Sequence, residues 1–149
     1  MADVHSPERR SFNMSRIRGR DAKPEILLQR GLHRAGMRFR LHVSSLPGHP
    51  DLVFPKHRAV ILVHGCLWHG HGCPMFRLPA TRTDLSAKIA GNRERDRAAL
   101  EALLSDGWRV LTVWECSLKG PSRLPFQDVL CGCVAFIRSK VLKVEILAP

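Results

Sequence analysis

The chain has 149 residues, 44% of them hydrophobic and 25% charged, with a formal net charge of +11 at pH 7. That length and balance suit one folded domain with a real core and exclude a disordered chain. No apolar run approaches the roughly 20 residues that a membrane-crossing helix needs.

The charge is uneven. Residues 1–40 carry ten Lys/Arg against four Asp/Glu, while residues 84–120 carry six against six. Arginine dominates lysine, and its planar fork matches phosphate. A basic N-terminal third facing nucleic acid is therefore expected; charge for solubility alone is the alternative. Met1 to Ser6 lack the apolar core of a secretion signal. A reducing cytoplasm is expected, with the five cysteines as thiols or ligands rather than a disulfide frame.

In chain order, Ser6, Pro7 and Glu8 form a helix-start signal for residues 6–20. Phe12, Met14 and Ile17 stand there among arginines, which makes a poor core helix. An arm that orders on DNA and offers Met14 and Ile17 as apolar wedges fits that pattern; a frayed terminus is the alternative. Residues 23–36 predict a helix with a stripe of Ile26, Leu27, Leu28, Leu32 and Ala35, ended by Gly36. Glu25 lies in its first turn, where a carboxylate suits the helix dipole.

Met37–Val43 predicts a short strand, and Leu46–Pro50 a turn. Asp51–Phe54 and Arg58–Val63 predict two strands joined at Pro55-Lys56-His57. In an antiparallel hairpin, Asp51 and His64 then share one end of the sheet. The apolar run Ala59–Val63 reads as a buried strand that feeds straight into His64-Gly65-Cys66-Leu67-Trp68-His69-Gly70-His71-Gly72-Cys73.

Cys66, His71 and Cys73 form a C-x4-H-x-C array, and thiolate and imidazole are the donors zinc prefers. Cys116 follows a second apolar strand, Trp108–Trp114, and would complete four ligands if the two strands are neighbours. A redox or disulfide loop is one alternative, and a fourth ligand from His64 or His69 is another. Whichever histidines are left over suit general-base chemistry.

Residues 74–83 are irregular. Residues 84–106 predict a long helix capped by Thr83 or Asp84 and stopped by Gly107. Asp96 on it is placed to reach a catalytic histidine or to be an ordinary exposed charge, and the residues alone favour the second. Residues 124–140 predict an amphipathic helix with Cys131 and Cys133 as core thiols. The tail from Val141 has a strand-like pattern suited to a sheet edge.

Pro50-Asp51 on this order of elements resembles the opening motif of a restriction-endonuclease-like core, an α/β fold with a central mixed sheet flanked by helices. The expected acid and lysine on the next strand are missing; Val63-His64-Gly65-Cys66 stands there. With Asn13-Met14, Leu46-Pro47-Gly48, Trp68-His69, Pro79–Thr83, Glu94–Arg97 and Gly107–Leu111, the chain resembles the very short patch repair (Vsr) endonucleases from about residue 2 to about residue 120. The resemblance implies a single domain over residues 1–149, with a basic DNA-binding arm at 1–20, a structural zinc loop, and a divergent helix and tail at 121–149.

It also implies a function. The family nicks one strand of duplex DNA 5′ of the mispaired T at T:G mismatches, which arise from deaminated 5-methylcytosine. It uses magnesium for catalysis and zinc for structure. Asp51 and the backbone carbonyl of Val63 would hold magnesium. His69 would be the base, supported by His64, Glu25 and Asp96. Cys66, His71, Cys73 and Cys116 would hold zinc. Leu67 and Trp68 would enter one groove at the mismatch, and Met14 and Ile17 the other. Leu67 stands where the family more often has Phe. A monomer in a prokaryotic cytoplasm, on the nucleoid and beside mismatch-repair proteins, is implied. The rival expectations are a restriction-type endonuclease on matched duplex and a zinc-bearing DNA-binding module without catalysis.

Overall fold

The computed structural model describes residues 24–71 and 81–148. The predicted 6–20 helix, Met14, Ile17 and Cys73 lie outside them. Among the described residues the fold is mixed α/β, with a five-stranded sheet in chain order. The strands are β1 (Arg40–Leu41), β2 (Leu52–Phe54), β3 (Ala59–His64), β4 (Arg109–Trp114) and β5 (Lys143–Ile146). β1, β2 and β3 pair antiparallel, whereas β3, β4 and β5 pair parallel. Parallel neighbours need a crossover connection. Helix α2 (Thr83–Ser105) supplies it between β3 and β4, and α4 (Phe126–Arg138) supplies it between β4 and β5. Helix α1 (Pro24–Arg34) precedes the sheet, and the four-residue α3 (Glu115–Leu118) follows β4 at once.

β3 and β4 are apolar at nearly every position because helices cover both faces of the sheet. Ala59 and Ile61 pack with Leu111 and Val113 against Leu28 and Leu32 of α1 and Val129, Cys133, Phe136 and Ile137 of α4. Val60, Leu62 and Val110 pack on the other face with Val53 and with Leu103 of α2. These two layers are the core, and they fix β3 and β4 as the rigid centre of the molecule.

Several boundaries differ from the sequence expectation. The strand expected over Met37–Val43 shrinks to Arg40–Leu41, because His42 turns into the left-handed region at φ 48°. Its N–H still reaches Asp51 O at 2.9 Å, so the ladder continues in hydrogen bonds only. α2 begins at Thr83 with Arg82 as its N-cap, and no side chain caps it. In the α1 stripe, Leu28 and Leu32 are fully buried, while Leu27 is exposed. Cys133 is a core thiol as expected, but Cys131 is exposed on the outer face of α4. The tail forms β5 on the sheet edge beside β4.

Candidate active site and metal centre

The site grows out of strand register. Leu52 pairs with Ile61, so Asp51 falls at the β3 end that carries Val63 and His64. The Val63 N–H donates to Asp51 Oδ2 at 2.6 Å and locks the carboxylate onto that strand end. In the parallel pair, His64 lies opposite Trp114. Cys66 and Cys116 each come two residues later, and the common offset brings both thiols to one place. The carboxyl ends of parallel strands are where α/β sheets habitually build sites.

Among the described residues, three groups of donor residues result. Cys66, His71 and Cys116 each place a donor atom within 4.8 Å of the others. The Cys116 sulfur is 3.7 Å from His71 Nδ1, and both thiols are buried. Two thiols and an imidazole around one point are a donor set suited to zinc. The backbone supports them: the Cys66 N–H donates to Glu115 Oε1 at 3.2 Å, and the Ala148 N–H donates to the Cys116 sulfur at 3.3 Å.

The second group is His64, His69 and Asp96. The His64 and His69 rings stack at 3.9 Å between centroids with planes 3° apart. His69 Nδ1 lies 2.6 Å from Asp96 Oδ2. A carboxylate only accepts, so Nδ1 is the donor and carries the proton. The Nε2 lone pair is then left available as a base. Burial, and next the neighbouring His69, lower the His64 pKa from 6.5 to about 4, so His64 stays neutral at pH 7. A neutral stacking partner lets the adjacent ring accept a proton without a like charge against it.

The third group is Glu25, His42 and Asp51. His42 Nδ1 lies 3.7 Å from Asp51 Oδ1, and its Nε2 lies 3.6 Å from Glu25 Oε1. Burial raises the Asp51 pKa; the Val63 N–H bond, His42 and His69 oppose that rise. Such a carboxylate favours a cation beside it. Its Oδ1, turned away from the Val63 amide, offers a hard oxygen donor of the kind magnesium takes.

Three features hold the loop between the groups. The Trp68 carbonyl accepts from Asn92 Nδ2 at 2.9 Å. The Trp68 ring is 45% exposed, with the Lys88 ammonium 5.6 Å from its centroid. Gly70 takes φ 64°, with the Arg93 stem and Ile89 of α2 pressed where a side chain would stand. A cavity of about 330 Å³ opens beside the paired histidines and is lined by His64, His69, Arg93, Asp96, Trp114 and Glu145 among others.

The sequence-predicted residues Glu25, Asp51, His64, Cys66, His69, His71, Asp96 and Cys116 all lie at this sheet end; Leu67 and Trp68 are on its loop. Two further residues were missed. His42 stood in a stretch read as plain strand, and no motif marks it. Trp114 read as the last apolar residue of a strand; its place before Glu115-Cys116 was the available signal.

Comparison with known proteins places this geometry in a family. The family model described as DNA mismatch endonuclease Vsr matches residues 2–75. The Escherichia coli K12 DNA mismatch endonuclease Vsr is 49% identical over 140 residues, covering 89% of this chain and 90% of that protein. The chain belongs to the Vsr family of DNA mismatch endonucleases. Similarity extends to relatives named as nicking enzymes. The type II nicking enzyme V.XorIIP of Xanthomonas oryzae is 50% identical over 119 residues, covering 79% of this chain and 88% of that protein. The type II nicking enzyme V.NmeAIP of Neisseria meningitidis is 38% identical over 120 residues, covering 80% and 86%. Among the described residues, no helix is long and apolar enough to cross a membrane.

Proposed function

We propose that this Vsr-family chain is an endodeoxyribonuclease of very short patch repair. It nicks one strand of duplex DNA at a T:G mismatch, 5′ of the mispaired T. The single domain has a restriction-endonuclease-like core and works as a monomer in the cytoplasm of a prokaryotic cell. The observation that carries the reading is the 2.6 Å His69–Asp96 contact, which leaves His69 Nε2 as a base at the sheet end that also carries the half-buried Asp51 carboxylate.

In this mechanism, His69 Nε2 takes a proton from water as the water oxygen bonds to phosphorus; the bond from phosphorus to the leaving oxygen breaks, and that oxygen takes up a proton from solvent. Asp96 holds the imidazole in the required tautomer and faces the charge that develops on it. Asp51 and the Val63 carbonyl would hold magnesium, with Glu25 and His42 beside them. Magnesium, when bound, supplies positive charge against the phosphate and the departing oxygen. Cys66, His71 and Cys116 would hold structural zinc, with Cys73 as the fourth ligand, and so keep the loop rigid. Trp68 and Leu67 would enter the stack at the mismatch, together with Met14 and Ile17 of the basic arm. A mispaired step unstacks at lower cost than a matched one.

The test is a strand-nicking assay on labelled T:G and T:A duplexes, with magnesium and with EDTA. A nick on the T strand of T:G alone, dependent on magnesium, is expected. Equal cutting of both duplexes would favour restriction of matched DNA. Binding without cutting under every metal would leave a DNA-binding module.

A further inference from the structure

The last strand is the part of the chain that the functional reading above leaves unused. β5 lies along β4, and it brings two groups to the site from beyond residue 140. Glu145 Oε1 accepts a hydrogen bond from Trp114 Nε1 at 2.8 Å. Three residues on, the Ala148 N–H points at the Cys116 sulfur.

Trp114 stands at the junction of two functions. Its ring stacks on His71 at 4.5 Å with planes 13° apart. It stands edge-to-face with His64 at 5.4 Å and His69 at 6.5 Å between ring centroids. One buried indole therefore bounds both the zinc loop and the paired histidines. An indole in a roomy cavity could slide or tip about its Cβ bond; its N–H bond fixes that angle. The acceptor is the side chain of an otherwise exposed residue at the sheet edge, and the described hydrogen bonds give that N–H no other partner.

We infer that Glu145 is a positioning residue: through Trp114 it sets the angle of His69 to the scissile phosphate and the seat of His71 in the metal centre. The C-terminal strand is thereby a clamp on the site rather than a passive tail. Groups that orient a metal ligand from outside its contact shell commonly matter by roughly 10–100-fold in affinity or activity. This inference rests on the nicking activity proposed above.

The experiment uses the full zinc-loaded protein and four variants: Glu145→Leu, Glu145→Gln, Trp114→Phe, and Glu145→Leu with Trp114→Phe. Four quantities are read: kcat and KM for T:G nicking, the rate of zinc loss to a colorimetric chelator, and Tm. Glu145→Leu should lower kcat roughly 10-fold or more with KM little changed, and should speed zinc loss. Glu145→Gln keeps a carbonyl acceptor for the indole and should recover most of the loss. In the Trp114→Phe background, Glu145→Leu should have no further effect on kcat, since the bond it would break is already gone.

Three results overturn the inference. One is unchanged kcat and zinc loss in Glu145→Leu. Another is a Glu145→Leu loss that tracks Tm and that Gln does not recover. The third is full additivity of the two substitutions. A wild-type protein that fails to nick T:G duplex would instead reject the function on which the inference stands, and the zinc-release arm would still read the Glu145–Trp114 link.

Discussion

Asp96 shows how much a single residue's partner decides. On α2 it stands among arginines and glutamates, several of which only pair with each other. Arg97, for example, pairs with Glu94 and Glu101 on the exposed face. Asp96 alone of these meets a site histidine. Asp96→Asn should lower kcat of nicking sharply, because an amide can present an N–H to Nδ1 and stabilise the wrong tautomer. His69→Ala should lower it by roughly 10²–10⁴, the usual loss on removing a general base. Both should leave duplex affinity nearly unchanged in a gel-shift assay; a matching loss of affinity would place these residues in binding instead. Asp51→Ala should abolish nicking under magnesium with binding largely intact, and full activity in that variant would refute its metal role. At the same scale, His64 carries a pH signature. Its folded pKa lies near 4 against an ordinary 6.5, so the unfolded chain binds a proton across that window and the native one does not. Its contribution therefore makes stability fall as pH drops from about 6.5 toward about 4. Denaturation midpoints of wild type and His64→Asn should diverge in the variant's favour over that range. A constant gap between them would mean that His64 is not held neutral.

At the level of elements, Arg109 is the keystone of the edge that carries β5. Its guanidinium donates to the carbonyls of Phe136 at 2.8 Å, Ile137 at 2.7 Å and His57 at 3.0 Å, and reaches Val141 O at 3.3 Å. Two of these carbonyls belong to the last turn of α4, where helical carbonyls lack partners. The Phe136 carbonyl also accepts from the Ser139 N–H and hydroxyl, so Arg109→Met would strip its helix-end contact chiefly from the Ile137 carbonyl, at a cost of roughly 1–3 kcal/mol if water cannot reach it. A clear drop in Tm is the expected reading, and an unchanged Tm would show that water substitutes. The elements themselves were largely legible. The apolar runs of β3 and β4 and the long polar α2 announced themselves through period and length. The short β1 was not legible, because a left-handed His42 is a tertiary choice that no local pattern encodes. Nor was the cap of α2, where Thr83 and Asp84 both looked suitable and neither caps.

For the whole molecule, the outcome of reading sequence alone depended on distance along the chain. Asp51 and His64 were foreseen at one sheet end because they flank a single hairpin. Cys116 was foreseen beside Cys66 only on the condition that β3 and β4 be neighbours, and the parallel register meets that condition. Asp96 and Glu145 reach the site from a crossover helix and an edge strand, and nothing in their own surroundings predicts that reach. Cys116→Ser should release zinc and lower stability together; an unchanged metal content would remove Cys116 from the ligands. The +11 charge makes a prediction of its own. Each phosphate neutralised releases counterion, so duplex affinity should fall steeply and linearly on a log–log plot against salt, by about 0.9 per contact. A flat plot would mean that the basic surface does not face DNA.

Gly70 sets a tolerance on all of this. Its bare Cα lets the turn between His69 and His71 lie flush on the Arg93 stem and Ile89. One added methyl at that point acts as a shim between loop and helix. It would push His69 away from Asp96 and His71 away from Cys116 in the same movement. Gly70→Ala should therefore damage catalysis and zinc retention as a single defect, although it touches no reacting atom.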